Sequence, residues 1–200
     1  MTTALITHDD CHGHVTPDGH PEQVARLHEV LRALEGKDLL RREAPMADDA
    51  TILLCHPLAH LEALNAAAPD TGSVQLDADT HMSPGSLKAA YRAVGGAVQA
   101  VDMVLAGEVQ NAFVATRPPG HHAEKQSPMG FCLFGNVAIA AKHALERHGL
   151  SRVAIVDFDV HHGNGTQDLL WDEARALFIS SHEMPLYPGT GAQHEVGAHG

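Results

Sequence analysis

Short apolar runs alternate with amphipathic helical patterns along most of the chain, and this alternation limits the folds open to it. The runs at 111–116, 152–159 and 176–180 each have four consecutive apolar residues without alternation, which is typical of strands buried on both faces. A shorter run at 4–6 is compatible with a first strand. Strands separated by helices predict an α/β fold with a parallel sheet between two helical layers.

The longest helix is predicted from about 84 to 106. Ser83 and Pro84 suit its N-cap and first residue, and Gly107 suits its end. Its large apolar residues recur in steps of three and four and predict one buried stripe: Leu87, Tyr91, Val94, Val98, Val101 and Leu105. The same periodicity predicts shorter helices over 22–35, 58–64 and 136–148.

Size and charge limit the classes of function. The 200 residues, 44% of them apolar and without a flexible linker, fit one domain over 1–200. The formal charge of −12 argues against nucleic-acid binding, which needs a basic face. It favours cationic substrates such as lysine-bearing peptides or polyamines. The sequence predicts no oligomeric state.

Cysteine usage and hydropathy predict a cytoplasmic protein that does not contact membranes. The three cysteines are widely spaced and form neither a disulfide framework nor a zinc motif. The first ten residues lack a basic segment followed by an apolar one, so no signal peptide is predicted. No segment reaches the roughly 18 consecutive apolar residues of a membrane span.

Two double histidines follow the ends of predicted strands. Residues 117–123 read Arg-Pro-Pro-Gly-His-His-Ala, and residues 157–165 read Asp-Phe-Asp-Val-His-His-Gly-Asn-Gly. In parallel sheets, binding sites gather at the carboxyl ends of the strands. Because both motifs lie there, we expect them to meet in one site.

The second motif has the residue types of a zinc site. Side chains alternate along a strand, so Asp157, Asp159 and His161 can point to one side. Asp159 and His161 are then plausible zinc ligands, and Asp157 can orient a neighbouring histidine. The alternative interpretation makes the two aspartates strand-end caps and His161 an ordinary loop residue.

The first motif predicts a general base. Pro118, Pro119 and Gly120 form a tight turn that holds His121 and His122 in place. One of the two histidines can take a proton from water as a general base, while the neighbouring histidine adjusts the charge around that base. The alternative is a loop with two solvated histidines. The chain contains 17 histidines, and we expect four of them at the surface: His143, His148, His194 and His199.

With further segments, these motifs closely resemble the histone deacetylase family, in the branch of bacterial deacetylase-like amidohydrolases and acetylpolyamine amidohydrolases. The resemblance runs from about residue 6 to 197 and includes the segments 8–11, 19–22, 76–80, 130–134 and 186–191. It implies an arginase/deacetylase-like three-layer α/β sandwich with a mainly parallel central sheet.

The resemblance implies roles for the histidines and aspartates. Asp159 and His161 would bind Zn²⁺. His122 would be the general base for the attacking water, and His121 would be its partner, paired with Asp157. The related dinuclear manganese ureohydrolases are disfavoured, because they have a further bridging Asp where this chain has Gly163.

The resemblance also implies a narrow tunnel for an acyl-lysine-like chain. Phe131 and Tyr187 would form its walls, with Gly130 beside them. Asp79 would hold the substrate backbone at the rim, and Arg26 would lie near the internal end. The alternatives are core aromatic residues at 131 and 187, a turn residue at 79 and a surface charge at 26.

Two further assignments follow from the resemblance. Asn164 would lie behind His122, where Asn is typical of the class II-like branch. A structural K⁺ ion would be held by oxygen atoms in a group of four residues: Asp157, Asp159, His161 and Ser180.

The implied function is zinc-dependent hydrolysis of N-acetyl amides, in acetyl-lysine or acetylpolyamines, to acetate and a free amine. The family's third zinc ligand is an Asp in a Gly-Phe-Asp-Ala-type segment, and its oxyanion-stabilising Tyr lies in a Gly-Gly-Tyr segment; neither segment occurs here. We therefore expect a domain truncated at its C-terminus, with little activity of its own. The alternative is a non-catalytic acyl-lysine-binding module, or a protein that needs a second chain to complete the site.

Overall fold

A computed structural model describes residues 2–199, and most of its strands run parallel. The strands are β1 (Thr3–Thr7), β2 (Leu40–Glu43), β3 (Val74–Gln75), β4 (His81–Met82), β5 (Asn111–Val114), β6 (Val153–Asp157) and β7 (Ala176–Ser180). A 3-10 helix spans Asp9–Gly13. The α-helices are α1 (Val24–Ala33), α2 (Asp49–Ile52), α3 (Leu58–Ala67), α4 (Ser86–Leu105), α5 (Asn136–Glu146) and α6 (Asn164–Leu170).

The strands form two parallel groups and one short hairpin. β1 lies between β2 and β5 and is parallel to both, while β6 pairs in parallel with β7. β3 and β4 form an antiparallel hairpin. Within residues 2–199, β5 pairs only with β1, and β6 pairs only with β7. The second edge of each of these two strands is therefore not paired with any strand among these residues.

Strand β1 shows the layered packing most clearly. Ala4 and Ile6 pack on one face of the sheet with Met103 of α4. Leu5 packs on the opposite face with Leu27 of α1. Because successive side chains of a strand point to opposite faces, one buried apolar run joins two helical layers across the sheet.

Helix α4 differs from its prediction in its start and in its buried face. It begins at Ser86 rather than near residue 84, and Ser83 donates a hydrogen bond to the Gly13 carbonyl instead of capping the helix. A Cβ atom on Gly95 would lie 2.0 Å from the Pro45 carbonyl oxygen, so the helix approaches this loop too closely for larger side chains. Small residues consequently make up most of the buried face: Ala89, Ala90, Ala93, Val94, Gly95, Gly96 and Met103.

The prediction that β5, β6 and β7 are buried on both faces is wrong. Phe113, Val156 and Leu177 are exposed. The opposite face of the β6–β7 pair is covered, since Ile155 and Ala176 pack against Leu169 and Leu170. Within residues 2–199, no element covers the outer face of this pair.

Two other predictions concern cysteines and membranes. The three cysteines, Cys11, Cys55 and Cys132, are unpaired, as predicted. Among residues 2–199, no helix has the length and apolar character required to cross a membrane.

A pair of histidines is buried in the fold. His56 and His60 stack with ring centroids 4.5 Å apart, and the Gly135 N–H donates to Nε2 of His56 over 2.9 Å. Burial, together with the nearby His60, lowers the pKa of His56 to about 4. A protonated His56 would lose the hydrogen bond from Gly135, because both ring nitrogens would then be donors.

We expect His56 to reduce stability as the pH falls. In the unfolded chain, His56 binds a proton near pH 6.5, whereas in the folded chain it does so only near pH 4. Its contribution to the free energy of unfolding is therefore complete above pH 6.5 and is lost as the pH falls towards 4. A single group changes the free energy of unfolding by at most about 1.4 kcal/mol per pH unit. Urea unfolding of the parent and of His56→Gln between pH 7 and 4 should show a flatter pH dependence in the variant. Identical slopes in the two proteins would contradict this.

Candidate active site

The loop after β5 presents two histidines whose orientations are fixed by acceptors behind them. Nδ1 of His121 lies 2.9 Å from Oδ2 of Asp157, and Nδ1 of His122 lies 2.7 Å from Oδ1 of Asn164. The Asn164 amide nitrogen donates to Glu124, which fixes which amide atom faces the histidine. Because both acceptors are oxygens without a proton, each Nδ1 is the protonated nitrogen and each Nε2 is unprotonated in the neutral ring.

The surroundings keep His122 neutral at physiological pH. Burial, together with the adjacent His121, lowers the pKa of His122 to about 4. For Asp157, burial acts to raise the pKa, but the hydrogen bonds from His121 and from the Asp159 N–H, together with the charges of the nearby histidines, outweigh it and the pKa is lowered. The unprotonated Nε2 of His122, beside a histidine–carboxylate pair, can accept a proton, as a general base must.

A buried ion pair holds the start of this loop. Nε of Arg117 donates to Oε1 of Glu22 over 2.6 Å, and Nη2 donates to Oε2. Nη1 of Arg117 donates to the carbonyl oxygens of Cys11 and His14. Burial acts to raise the pKa of Glu22, but the contact with His14 and the hydrogen bonds from Arg117 outweigh it and lower the pKa to about 2. The sequence analysis missed this network, because Arg117 and Glu22 are 95 residues apart.

Asp159 and His161 are neighbours, but for a different reason from the one predicted. Strand β6 ends at Asp157, so strand alternation does not extend to His161. Instead, the Asp159 N–H donates to Oδ1 of Asp157, and the His161 N–H donates to Oδ1 of Asp159. In each of these two turns, an aspartate side chain accepts a hydrogen bond from the backbone N–H two residues later. The turns therefore bring Asp159 close to His161 without a strand.

The two side chains fit the ligand set of a zinc ion. Nδ1 of His161 lies 3.1 Å from Oδ1 of Asp159. Zinc bonds of 2.0–2.1 Å in a tetrahedral site place two ligand atoms roughly 3.3 Å apart. Both side chains are partly exposed, at 50% for Asp159 and 40% for His161, so one side of the pair is open.

A cavity of about 510 Å³ unites most of the predicted site residues. It is lined by nine of them: Arg26, Asp79, His121, His122, Gly130, Phe131, Asp159, His161 and Tyr187. Asp157 and Asn164 lie behind the histidines, in hydrogen-bond contact with them. Ser180 is the register partner of Asp157 in the β6–β7 pair, and its hydroxyl contacts Nδ1 of His182 over 2.9 Å.

Two aromatic side chains, Phe131 and Tyr187, line this cavity. The Tyr187 ring is edge-on to His122, with centroids 5.1 Å apart, and 6.0 Å from His161. Phe131 packs against His20 with centroids 4.9 Å apart. Phe131 has φ +70°, in the left-handed region that non-glycine residues rarely adopt, and Gly130 before it has φ +54°. Such backbone conformations cluster at functional sites.

The two charged residues predicted at the tunnel ends lie on the cavity wall. The Asp79 carbonyl accepts a hydrogen bond from Nε2 of His20, and burial and the nearby Asp77 raise the pKa of Asp79. Arg26 lies 3.6 Å from Glu22, and its side chain is 59% exposed. The Arg26 side chain is therefore open to solvent in the described residues, although the resemblance places it near the internal end of the tunnel.

Comparison with known proteins shows the family of this chain. Residues 20–200 match the family model described as the histone deacetylase domain. The chain belongs to the histone deacetylase family. It is 42% identical over 193 residues to a probable deacetylase of Methanothermobacter thermautotrophicus, covering 94% of this chain and 56% of that protein. It is 43% identical over 180 residues to a histone deacetylase-like amidohydrolase of Pseudomonas aeruginosa, covering 88% of this chain and 47% of that protein.

A solved structure confirms the arginase/deacetylase fold. The crystal structure of the HDA15 HD domain superposes with a TM-score of 0.93 at 33% identity, covering 98% of this chain and 58% of that one. The predicted mainly parallel α/β sandwich is therefore correct. The chain spans about half the length of the curated relatives it matches, between 47% and 63% for the first four.

The third zinc ligand is not found near Asp159 and His161. Among residues 2–199, one group of three histidine, cysteine, aspartate or glutamate side chains has ligand atoms within 4.8 Å of one another, and it is elsewhere: Asp102, His143 and His148. The predicted surface position is wrong for His143, whose side chain is 14% exposed and hydrogen-bonded to Asp102.

We expect Gly130→Ala to destabilise the site. A Cβ atom at Gly130 would lie 2.3 Å from Cδ2 of His122, and φ there is +54°. Gly72→Ala is a matched control, because Gly72 has φ +71° and open space around the added atom. Chemical unfolding should show a cost for Gly130→Ala that exceeds the control by about 1–3 kcal/mol. Equal costs would mean that His122 can move away freely.

Proposed function

We propose that the protein is a zinc-dependent hydrolase of N-acetyl amides, with acetyl-lysine side chains or acetylpolyamines as substrates. The observation that supports this best is the position of His122. It is buried and neutral, its Nδ1 is held by Asn164, and it shares one cavity with Asp159 and His161. Membership of the deacetylase family supports the same class of reaction.

In this proposal, Asp159 and His161 supply two of the three protein ligands of the zinc ion. When bound, zinc polarises the amide carbonyl and activates water for attack. The manganese ureohydrolase alternative is disfavoured. A Cβ atom at Gly163 would lie 2.4 Å from Oδ2 of Asp157, so this position has no space for the bridging carboxylate of those enzymes.

The histidines would move the protons of the reaction. Nε2 of His122 accepts a proton from the water whose oxygen forms the new bond to the carbonyl carbon. The C–N bond then breaks, and the proton passes from His122 to the leaving amine, giving acetate and a free amine. His121 donates to Asp157, so a carboxylate lies close enough to stabilise positive charge on the histidine pair.

The cavity walls would select the substrate. Phe131 and Tyr187 provide apolar sides for an extended acyl-lysine chain, and Asp79 can accept hydrogen bonds from a substrate backbone. Arg26 would lie at the far end. The net charge of −12 favours cationic substrates and disfavours nucleic acid. The structural K⁺ ion, the single domain over 1–200 and the cytoplasmic location stay predictions.

A second candidate function is compatible with the ligand set of the described residues. Within residues 2–199, Asp159 and His161 have no third histidine, cysteine or carboxylate ligand within reach. A protein of this kind can bind acyl-lysine in its cavity without turnover, or it can need a second chain to complete the site. In the first proposal, the 200 residues alone would have little activity.

Acetate release and peptide binding separate the two proposals. The full-length gene product, stripped of metal with a chelator, is given an acetyl-lysine peptide or an acetylpolyamine, with and without Zn²⁺. Zinc-restored release of acetate is expected for the hydrolase. Saturable peptide binding without acetate release would favour the binding module. Neither turnover nor binding would contradict both proposals.

A further inference from the structure

A cluster of two histidines and an aspartate lies outside the cavity, where helices α4 and α5 end. Asp102 is in the last turn of α4, His143 is in the last turn of α5, and His148 follows just after α5. None of the three lines the 510 Å³ cavity. This cluster is therefore separate from the Asp159–His161 pair.

The ligand atoms of the cluster converge on one point. Nε2 of His143 lies 2.6 Å from Oδ1 of Asp102, and Nε2 of His148 lies 2.7 Å from the same oxygen. The two imidazole rings are 5.2 Å apart and inclined by 70°. Two imidazole nitrogens and one carboxylate oxygen are a ligand set that binds zinc, with the remaining position left for water.

The chain reversal after α5 creates this convergence. On an uninterrupted helix, two residues five positions apart would point about 140° away from each other. Here the Leu150 N–H donates to the Ala144 carbonyl, and Gly149 adopts φ +68°, which turns the chain back over the helix end. His148 is thereby placed beside His143.

The electrostatic surroundings favour a cation. The ion pairs of Asp102 in the described residues are both with histidines, so no lysine or arginine competes there for its carboxylate. Both helices direct their C-terminal carbonyl groups towards this end, and helix C-termini attract positive charge. Asp102 and His148 have side chains 48% and 32% exposed, which gives solvent access to the cluster.

We propose that Asp102, His143 and His148 form a second metal site, which binds Zn²⁺ or a similar divalent transition metal and links the ends of α4 and α5. The ion takes the place of the two hydrogen bonds to Asp102, and both imidazoles bind it through Nε2 with their proton on Nδ1. Two imidazole ligands select transition metals over Mg²⁺, which prefers oxygen ligands. Because the site requires the packed helices, metal binding stabilises the folded chain.

Zinc titration in a background that lacks the cavity ligands tests this proposal. The parent protein is the full-length gene product with Asp159→Asn and His161→Asn, stripped of metal. His148→Gln and Asp102→Asn are added separately, and His194→Gln serves as a control because His194 is exposed. Zinc affinity and the thermal unfolding midpoint are measured for each protein, with Mg²⁺ as a comparison ion.

The expected result is metal binding by the parent protein and by the His194→Gln control, with a rise in their unfolding midpoints. His148→Gln and Asp102→Asn should each weaken this binding by at least the roughly 10–100-fold that loss of an outer-shell partner costs. Midpoints of the parent and variant proteins measured with a chelator show what the loss of the cluster's hydrogen bonds costs without metal. The further change in each midpoint when zinc is added shows the effect of the metal. Zinc affinity unchanged in both cluster variants, or no zinc binding by the parent protein, would overturn the proposal. If Asp102→Asn fails to fold, the zinc affinity of His148→Gln alone tests the proposal, because His148 is exposed.

Discussion

Glu22→Gln is expected to destabilise the protein by about 3–5 kcal/mol, because it leaves the Arg117 guanidinium buried without its counter-charge. Glu22 is fully buried, and Arg117 donates to both of its carboxylate oxygens. The guanidinium also holds the carbonyl oxygens of Cys11 and His14. One substitution would therefore weaken the contacts between the N-terminal segment and the loop that contains His121 and His122. Urea unfolding near pH 7 measures the loss.

Glu29→Gln is the matched control for this change. Glu29 also pairs with an arginine, Arg32, but both side chains are exposed, at 63% and 72%. Exposed pairs of this kind contribute about 0–1 kcal/mol. Similar losses in the two variants would mean that burial of the Glu22–Arg117 pair does not determine its contribution.

His122→Ala is expected to lower the rate of acetyl-lysine hydrolysis by roughly 10²–10⁴-fold, since it removes the proposed general base. The substitution does not alter Asp159 or His161, so zinc affinity should change little. The effect should appear in kcat, with a smaller change in KM. Initial rates of acetate release by the zinc-loaded full-length gene product give both parameters.

A histidine far from the base supplies the comparison. His194 is exposed and lies outside the cavity, so His194→Ala should keep the parent rate. A rate in His122→Ala close to that of the parent would exclude His122 as the base. A fall in zinc affinity equal to the fall in rate would instead indicate that the substitution acts through the metal site.

The sequence predicted the elements that have a clear apolar run or periodicity better than those that lack one. β1, α1, α3 and α5 lie where apolar runs and periodicity place them. β2 was missed because Leu40–Glu43 contains a single apolar residue, and its strand conformation depends on pairing with β1. The exposed faces of β6 and β7 could not be predicted, since an apolar strand has the same sequence whether or not another element covers it.

The candidate site was predictable where local rules apply. The strand-end rule placed both histidine motifs in one region, and the structure brings His121 and Asp157 into hydrogen-bond contact. Contacts between distant segments leave no periodic pattern in the sequence, so they could not be predicted. The ion pair of Glu22 and Arg117 is an example. The Asp102 cluster was missed because His143 and His148 were expected at the surface of a helix over 136–148, on which they would point apart. The structure ends α5 at Glu146.

The zinc dependence of acetyl-lysine hydrolysis in Asp159→Asn tests the central claim most directly. The comparison is Asp172→Asn, which removes an exposed carboxylate outside the cavity. Our account predicts that the full-length gene product and Asp172→Asn release acetate only when zinc is supplied, and that Asp159→Asn has lost this activity. Undiminished zinc-dependent turnover by Asp159→Asn, or turnover that a chelator does not affect, would contradict the account.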